Sequence, residues 1–180
     1  SVAKIRCLTV DGYAKKNVEQ INEVPDEFNH TWDVVQLGQS PESWFYVDAT
    51  LGSGYTDEKV TVFTRAFNDY YFFANKTIFN QQHFPDNPAW QLGGSGPKAA
   101  KEFFALPLVK DYAYEFGIAR YMHVTGSIKA TPKKPVQFSV KTNSNTKIEI
   151  VALQVGTDKK KRTKTVDYTL NNGTVSFNFK

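Results

Sequence analysis

Beyond Phe116 the chain is written in short alternating segments: Ile118–Val124, Val136–Lys141, Lys147–Val155, Thr163–Leu170 and Thr174–Phe179. Turn signals separate them, among them Thr131-Pro132, Asn143-Ser144-Asn145 and Asn171-Asn172-Gly173. Alternation with a period of two collects apolar side chains on one face, and such strands at regular spacing predict an antiparallel β-sandwich. The first half has a different texture. Ile5 to Val10 reads as a strand closed by Asp11-Gly12, and residues 11–29 as a long polar loop with one turn of helix. Thr31 to Leu37 and Trp44 to Val47 read as a strand pair joined by the turn Gly38 to Ser43. Residues 49–58 read as a Gly-rich loop. The aromatic stretch 66–92 carries a short helix near Asn75–Gln82, and Lys98 to Phe104 a helical turn.

Charge divides the chain in the same place. Residues 1–96 hold 7 Lys/Arg and 12 Asp/Glu, whereas residues 97–180 hold 15 and 6. A switch from net −5 to net +9 predicts two units with different surfaces. The segment Gly93-Gly94-Ser95-Gly96-Pro97 has linker chemistry, so the expected domains are 1–96 and 97–180. With 180 residues, 41% of them hydrophobic and 22% charged, the chain can bury a core. No run approaches the ~18 apolar residues of a membrane helix, so no membrane span is expected. The opening SVAKIRCLTV has neither a signal-peptide pattern nor an initiator Met, and reads as a processed piece of open compartment, secreted or cytoplasmic.

The chemistry-bearing stretch is His30-Thr31-Trp32-Asp33 followed by Trp44-Phe45-Tyr46-Val47-Asp48-Ala49-Thr50. A His and an Asp at the ends of paired strands can meet. The carboxylate then fixes the imidazole tautomer and leaves the other ring nitrogen to act as a base. That is the base and orienter of a Cys-His-Asp triad; a lone structural His beside an Asp is the plainer alternative. HTWD followed by WFYVDAT resembles the transglutaminase-like superfamily. CLTVDGYAKK upstream, FFANKTIFNQQHFPDNPAWQL downstream and FFALPLVKDYAYEFGI after it are similar to its kyphoscoliosis-peptidase branch. The resemblance covers residues 5–120 well and the β-region loosely. It implies an α+β, β-rich chain: a partial transglutaminase-like (papain-like) unit, then an Ig-like β-sandwich.

By this resemblance His30 matches the catalytic His and Asp48 the catalytic Asp. Trp32, Asp33 and His83 would be site neighbours, with Asp33 standing where the family has Asn. The family nucleophile opens a helix upstream of the His, where the helix N-terminus supports a thiolate. Cys7, the only cysteine, lies in an alternating strand-like segment. It is a candidate nucleophile only against its favoured reading as a small buried core residue. A single cysteine also excludes an internal disulfide. The nucleophile is therefore expected on a second polypeptide, or else catalysis is lost and the scaffold kept as a pseudoenzyme. Either way a partner chain or a homo-oligomer is expected, because an incomplete unit exposes apolar surface. An enzyme would take a protein substrate. The alternative is a non-catalytic binding protein, a lectin for glycans or a protein-interaction module. No cofactor is expected. His30, His83 and His123 lack ligand spacing for a metal, and Asp57 with Glu58 is too few carboxylates for calcium. Lys159-Lys160-Lys161-Arg162 reads as a solvated hairpin tip rather than an anion site, and without interleaved aromatics nucleic acid is not expected. Asn29, Asn75 and Asn172 open glycosylation sequons, of which Asn75 and Asn172 are the candidates.

Overall fold

The structure is a computed structural model. It describes residues 4–57, 59–93, 96–111, 120–121, 125–129, 131, 134–142, 148–155, 158 and 160–179. The chain is β-rich α+β and forms two compact units divided after Val109. Among the described residues no helix is long and apolar enough to cross a membrane.

The first unit is built on β1 (Arg6–Ala14), β2 (His30–Gln36) and β3 (Trp44–Val47). After β3 come α1 (Ala49–Ser53), β4 (Gly54–Thr56), β5 (Phe63–Arg65), β6 (Phe72–Ala74), α2 (Lys76–Gln82), β7 (His83–Pro85) and α3 (Ala100–Ala105). Five strands form one antiparallel sheet in the order β6-β3-β2-β1-β7, and β4 pairs with β5 separately. The predicted loop 49–58 is thus a capped helical turn running into a strand.

β1 continues through Asp11-Gly12, where the sequence predicts its end. The reason is that Gly12 pairs on both sides, with His30 of β2 and Pro85 of β7. A Cβ there would sit 2.3 Å from the Phe84 carbonyl oxygen and 2.7 Å from the Trp32 ring. The glycine permits a close approach of two strands, not a turn.

Alternation along β1 to β3 turns Val10, Trp32, Val34, Trp44 and Tyr46 into one core with Ala74, Phe79 and Leu92. Tyr46 packs flat on Phe79 at 4.1 Å, and its buried hydroxyl oxygen accepts from the Leu92 N–H. The same hydroxyl lies 2.7 Å from Asn80 Oδ1 and 2.8 Å from the Trp90 carbonyl, so its proton always finds an acceptor. A second cluster joins Tyr13, Phe84, Phe103 and Phe104. Phe103 and Phe104 are fully buried, and each such ring contributes roughly 1.5–3 kcal/mol by leaving water. Buried Lys15 adds to this cluster by donating to the carbonyls of Phe103 and Leu106 at the end of α3. These contacts hold α3 in the first unit. The Gly93–Pro97 stretch, read as the boundary, therefore lies within that unit, of which Gly94 and Ser95 fall outside the described residues.

The second unit contains β8 (Arg120–Tyr121), β9 (Val136–Lys141), β10 (Val151–Val155), β11 (Lys161–Thr165), β12 (Tyr168–Asn171) and β13 (Thr174–Phe179). They form a four-stranded antiparallel sheet, β12-β13-β9-β8, and a two-stranded one, β10-β11. The expected single strand Thr163–Leu170 is two strands, because the chain leaves one sheet at Val166 and enters the other at Tyr168. Asn172 and Gly173, both with positive φ, make the two-residue turn between β12 and β13. Most of the predicted strand Ile118–Val124 and the Asn143–Asn145 turn lie outside the described residues.

Candidate functional site

Asp48 follows β3 and caps α1. Its Oδ1 accepts from the Leu51 N–H at 2.9 Å, and its carbonyl accepts from the Gly52 N–H at 2.9 Å. Its own N–H donates to the Tyr71 carbonyl at 2.9 Å. The backbone and one carboxylate oxygen are thereby fixed, and Oδ2 is left to face the core. Two imidazoles reach it: His30 Nε2 at 2.6 Å and His83 Nε2 at 3.0 Å. A carboxylate only accepts, so both Nε2 atoms carry the hydrogen. The Asp48 side chain is wholly buried, that of His30 nearly so and that of His83 nearly completely.

His30 opens β2 and shares its inward face with Trp32 and Val34, two and four residues on. His83 opens β7 directly after α2. Its ring lies flat on Phe79, with centroids 3.8 Å apart and planes at 6°, and meets Trp32 edge-on at 5.2 Å. Burial works to raise the Asp48 pKa. Hydrogen bonds from His30, His83 and the Leu51 N–H, with the charge of His30, overcome it and hold the carboxyl far below the usual range. Burial pushes His83 down, against the opposing pull of Asp48 and of the Phe79 carbonyl, so its ring is neutral. Trp32 Nε1 and His83 Nδ1 are buried without a hydrogen bond of good geometry.

The structure brings His30, Asp48, Trp32 and His83 together. Asp33 is elsewhere: it points to the opposite face of β2 and accepts from Thr9 Oγ1 at 3.1 Å. Cys7 is not a buried core residue; it is exposed on β1 and pairs with Val35. Five positions separate it from Gly12, the partner of His30, which is about 17 Å along a strand. Slight burial and the Asp33 charge push its thiol up, away from thiolate. Asp57 closes a tight turn, its carboxylate taking the Thr61 N–H and hydroxyl and the Val62 N–H. Glu58 and His123 lie outside the described residues.

Asn29 binds both backbone groups of Ala14 through its side chain. Asn75 is exposed at the start of α2, capping it through the Ile78 N–H, and Asn172 is exposed on its turn. Lys160 is exposed between the paired strands β10 and β11, at the expected hairpin tip, and Lys161 and Arg162 open β11, with Arg162 paired to Asp158 at 2.6 Å. Lys159 is outside the described residues.

The sequence places His83 only as a site neighbour; its seat on Asp48 depends on the pairing of β7 with β1, which no local pattern encodes. His30, Asp48 and His83 also offer three ligand atoms within 4.8 Å of one another, a set chemically suited to zinc. Both imidazoles are already seated on one oxygen at hydrogen-bond distance, so a cation about 2.0–2.1 Å from each donor would have to reshape the cluster.

Comparison with known proteins finds relatives of the chain. Over 134 residues, 74% of the chain, it is 40% identical to kyphoscoliosis peptidase of Mus musculus. The same protein of Homo sapiens is 39% identical over 92 residues, 51% of the chain. The chain spans only 20% and 14% of the lengths of these relatives. No family model matches. The likeness is to the transglutaminase-like class of proteins. Within that class, the chain is a relative of the kyphoscoliosis peptidases over about three quarters of its length.

Proposed function

We propose that this chain supplies the base and its orienter to a transglutaminase-like thiol peptidase or acyltransferase. The observation that carries the reading is the 2.6 Å contact of His30 Nε2 with the buried Asp48 carboxylate. It commits one ring nitrogen and leaves Nδ1 to exchange protons with a thiol. Cys7 is too distant, so the thiol comes from outside these 180 residues, on a second polypeptide or a further part of the same one. The thiolate attacks an amide carbonyl of a protein substrate, the C–N bond breaks, and His30 gives its proton to the leaving amine. Water or a second amine, deprotonated by His30, then displaces the thiol from the thioester. Asp48 orients His30 and balances its charge. In the same reading, the first unit is the transglutaminase-like core and the second an Ig-like β-domain.

Limiting iodoacetamide tests this on the assembled protein. The expected label falls on a cysteine other than Cys7, and His30→Ala slows labelling about a hundredfold or more. Labelling confined to Cys7, or indifferent to His30→Ala, rejects the reading.

A second reading, a non-catalytic protein-interaction module, has one observation in its favour. Tyr55, Val62, Phe63, Phe67, Phe72 and Phe73 are all exposed on one stretch of the chain. A lectin that stacks sugars on tryptophan gains nothing from the structure, since Trp32 and Trp44 are buried and Trp90 packs against the core.

A further inference from the structure

The geometry points to His83 as a positioning residue that holds the Asp48 carboxylate in register with His30. The inference rests on His30 and Asp48 being base and orienter, and it assigns a role to a third side chain.

Asp48 Oδ1 is tied to the Leu51 N–H, but one bond leaves the carboxylate free to swing about its own axis. The second fixed point is His83 Nε2, 3.0 Å from Oδ2, the oxygen that His30 uses. His83 is suited to be that fixed point. Its backbone is paired with Ala14, and its N–H donates to the Phe79 carbonyl. Its ring is pressed flat against Phe79 and edge-on against Trp32, with 1% of the side chain exposed. His30, by contrast, stands at the mouth of β2 and has a ring nitrogen that Asp48 does not engage.

A phenyl ring would fill the slot of His83 and stack on Phe79 equally well, without leaving Nδ1 unsatisfied. What the imidazole adds is the Nε2–H donor. Its only hydrogen-bond partner among the described residues is Asp48.

The test reads the hydrogen-bonded Nε2–H protons by proton–nitrogen NMR on the 180-residue chain at neutral pH. Two variants separate donor from filler: His83→Phe keeps the stack and removes the donor, and His83→Gln returns an N–H near the same point. In the wild type the His30 Nε2–H resonance is expected downfield and protected from water. In His83→Phe it is expected to move upfield and to broaden until lost, and in His83→Gln to return. An unchanged His30 resonance in folded His83→Phe overturns the inference. If His83→Phe fails to fold, a folded His83→Gln that lacks the resonance overturns it as well. Folding is read from tryptophan fluorescence and amide dispersion. The readout needs no catalysis. An inactive assembly with these spectral changes intact would fault the proposed function and leave the positioning role standing.

Discussion

Between residues 4 and 109 the described core is rich in aromatics and falls in two clusters, one around Trp32, Tyr46 and Phe79, the other around Phe84, Phe103 and Phe104. Beyond residue 110 the buried hydrophobic residues, among those described, are Ala152 and Val175. The second unit is held instead by ladder pairing, six register pairs between β9 and β13 alone, and β11 is exposed along its whole length. An ionised carboxylate can be kept away from water only where rigid walls also supply it with donors. The first unit has such walls, and its buried Asp48 is met by three donors. The second unit offers charged surface instead. The contrast explains why the chemistry-bearing cluster sits in the first unit.

The contrast can be broken most forcibly at Gly12. Gly12→Ala sets a methyl against the Phe84 carbonyl, the Trp32 ring and the Pro85 Cα, two of them backbone atoms that cannot swing aside. A loss of about 3 kcal/mol or more is expected. Trp32, Trp44 and Trp90 all lie in the first unit, so their fluorescence in urea reports this loss directly.

Next is Asp48→Asn, expected to cost about 2–3 kcal/mol at pH 7 by weakening a buried charge-assisted network. The folded pKa of Asp48 is lowered, so its contribution is full above the unfolded value, near pH 4, and fades as the pH falls through the folded one. Urea midpoints of wild type and variant should therefore converge in acid. A gap that is constant with pH would assign the loss to packing alone.

In the second unit, Val175→Ala is expected to cost about 1–2 kcal/mol. Amide exchange along β9 and β13 is the measurement. A loss as large as that at Gly12 would show that the thin core is worth more than its burial suggests.

The smallest effect is expected from Lys15→Met. Burial lowers the Lys15 pKa from its usual 10.5 to about 8. The unfolded chain thus holds more protons between those values, and stability contributed by this group rises with pH across that window. The variant should flatten the rise in urea midpoint between pH 8 and 10.

Much of the sheet is legible in the sequence because period-two patterns are strong there: Trp44–Val47, Val136–Lys141 and Thr174–Phe179 fall on their strands as predicted. His30 and Asp48 are legible too, since the hairpin that joins them is local. Gly12 misleads because an Asp-Gly pair is read as a turn, while its true role depends on Phe84 and Pro85, far along the chain. Cys7 misleads in the same way. Its neighbours alternate like a core strand, but Leu8 and Val10 take the core face, which leaves Cys7 on the opposite, exposed one. The role of His83 required the pairing of β7 with β1, which no local pattern encodes.

That same pairing sets an order of assembly. β1, β2 and β3 are consecutive antiparallel neighbours, so His30 and Asp48, 18 residues apart, can meet as soon as the second hairpin closes. His83 is 35 residues from Asp48, and its strand docks on β1 by closing a loop of roughly seventy residues, a slower event than hairpin closure. Loop length thus sets the expected order, the His–Asp pair before its third member. During synthesis the cluster stays incomplete until β7 has left the ribosome, and until then Asp48 lacks one of its three hydrogen-bond donors.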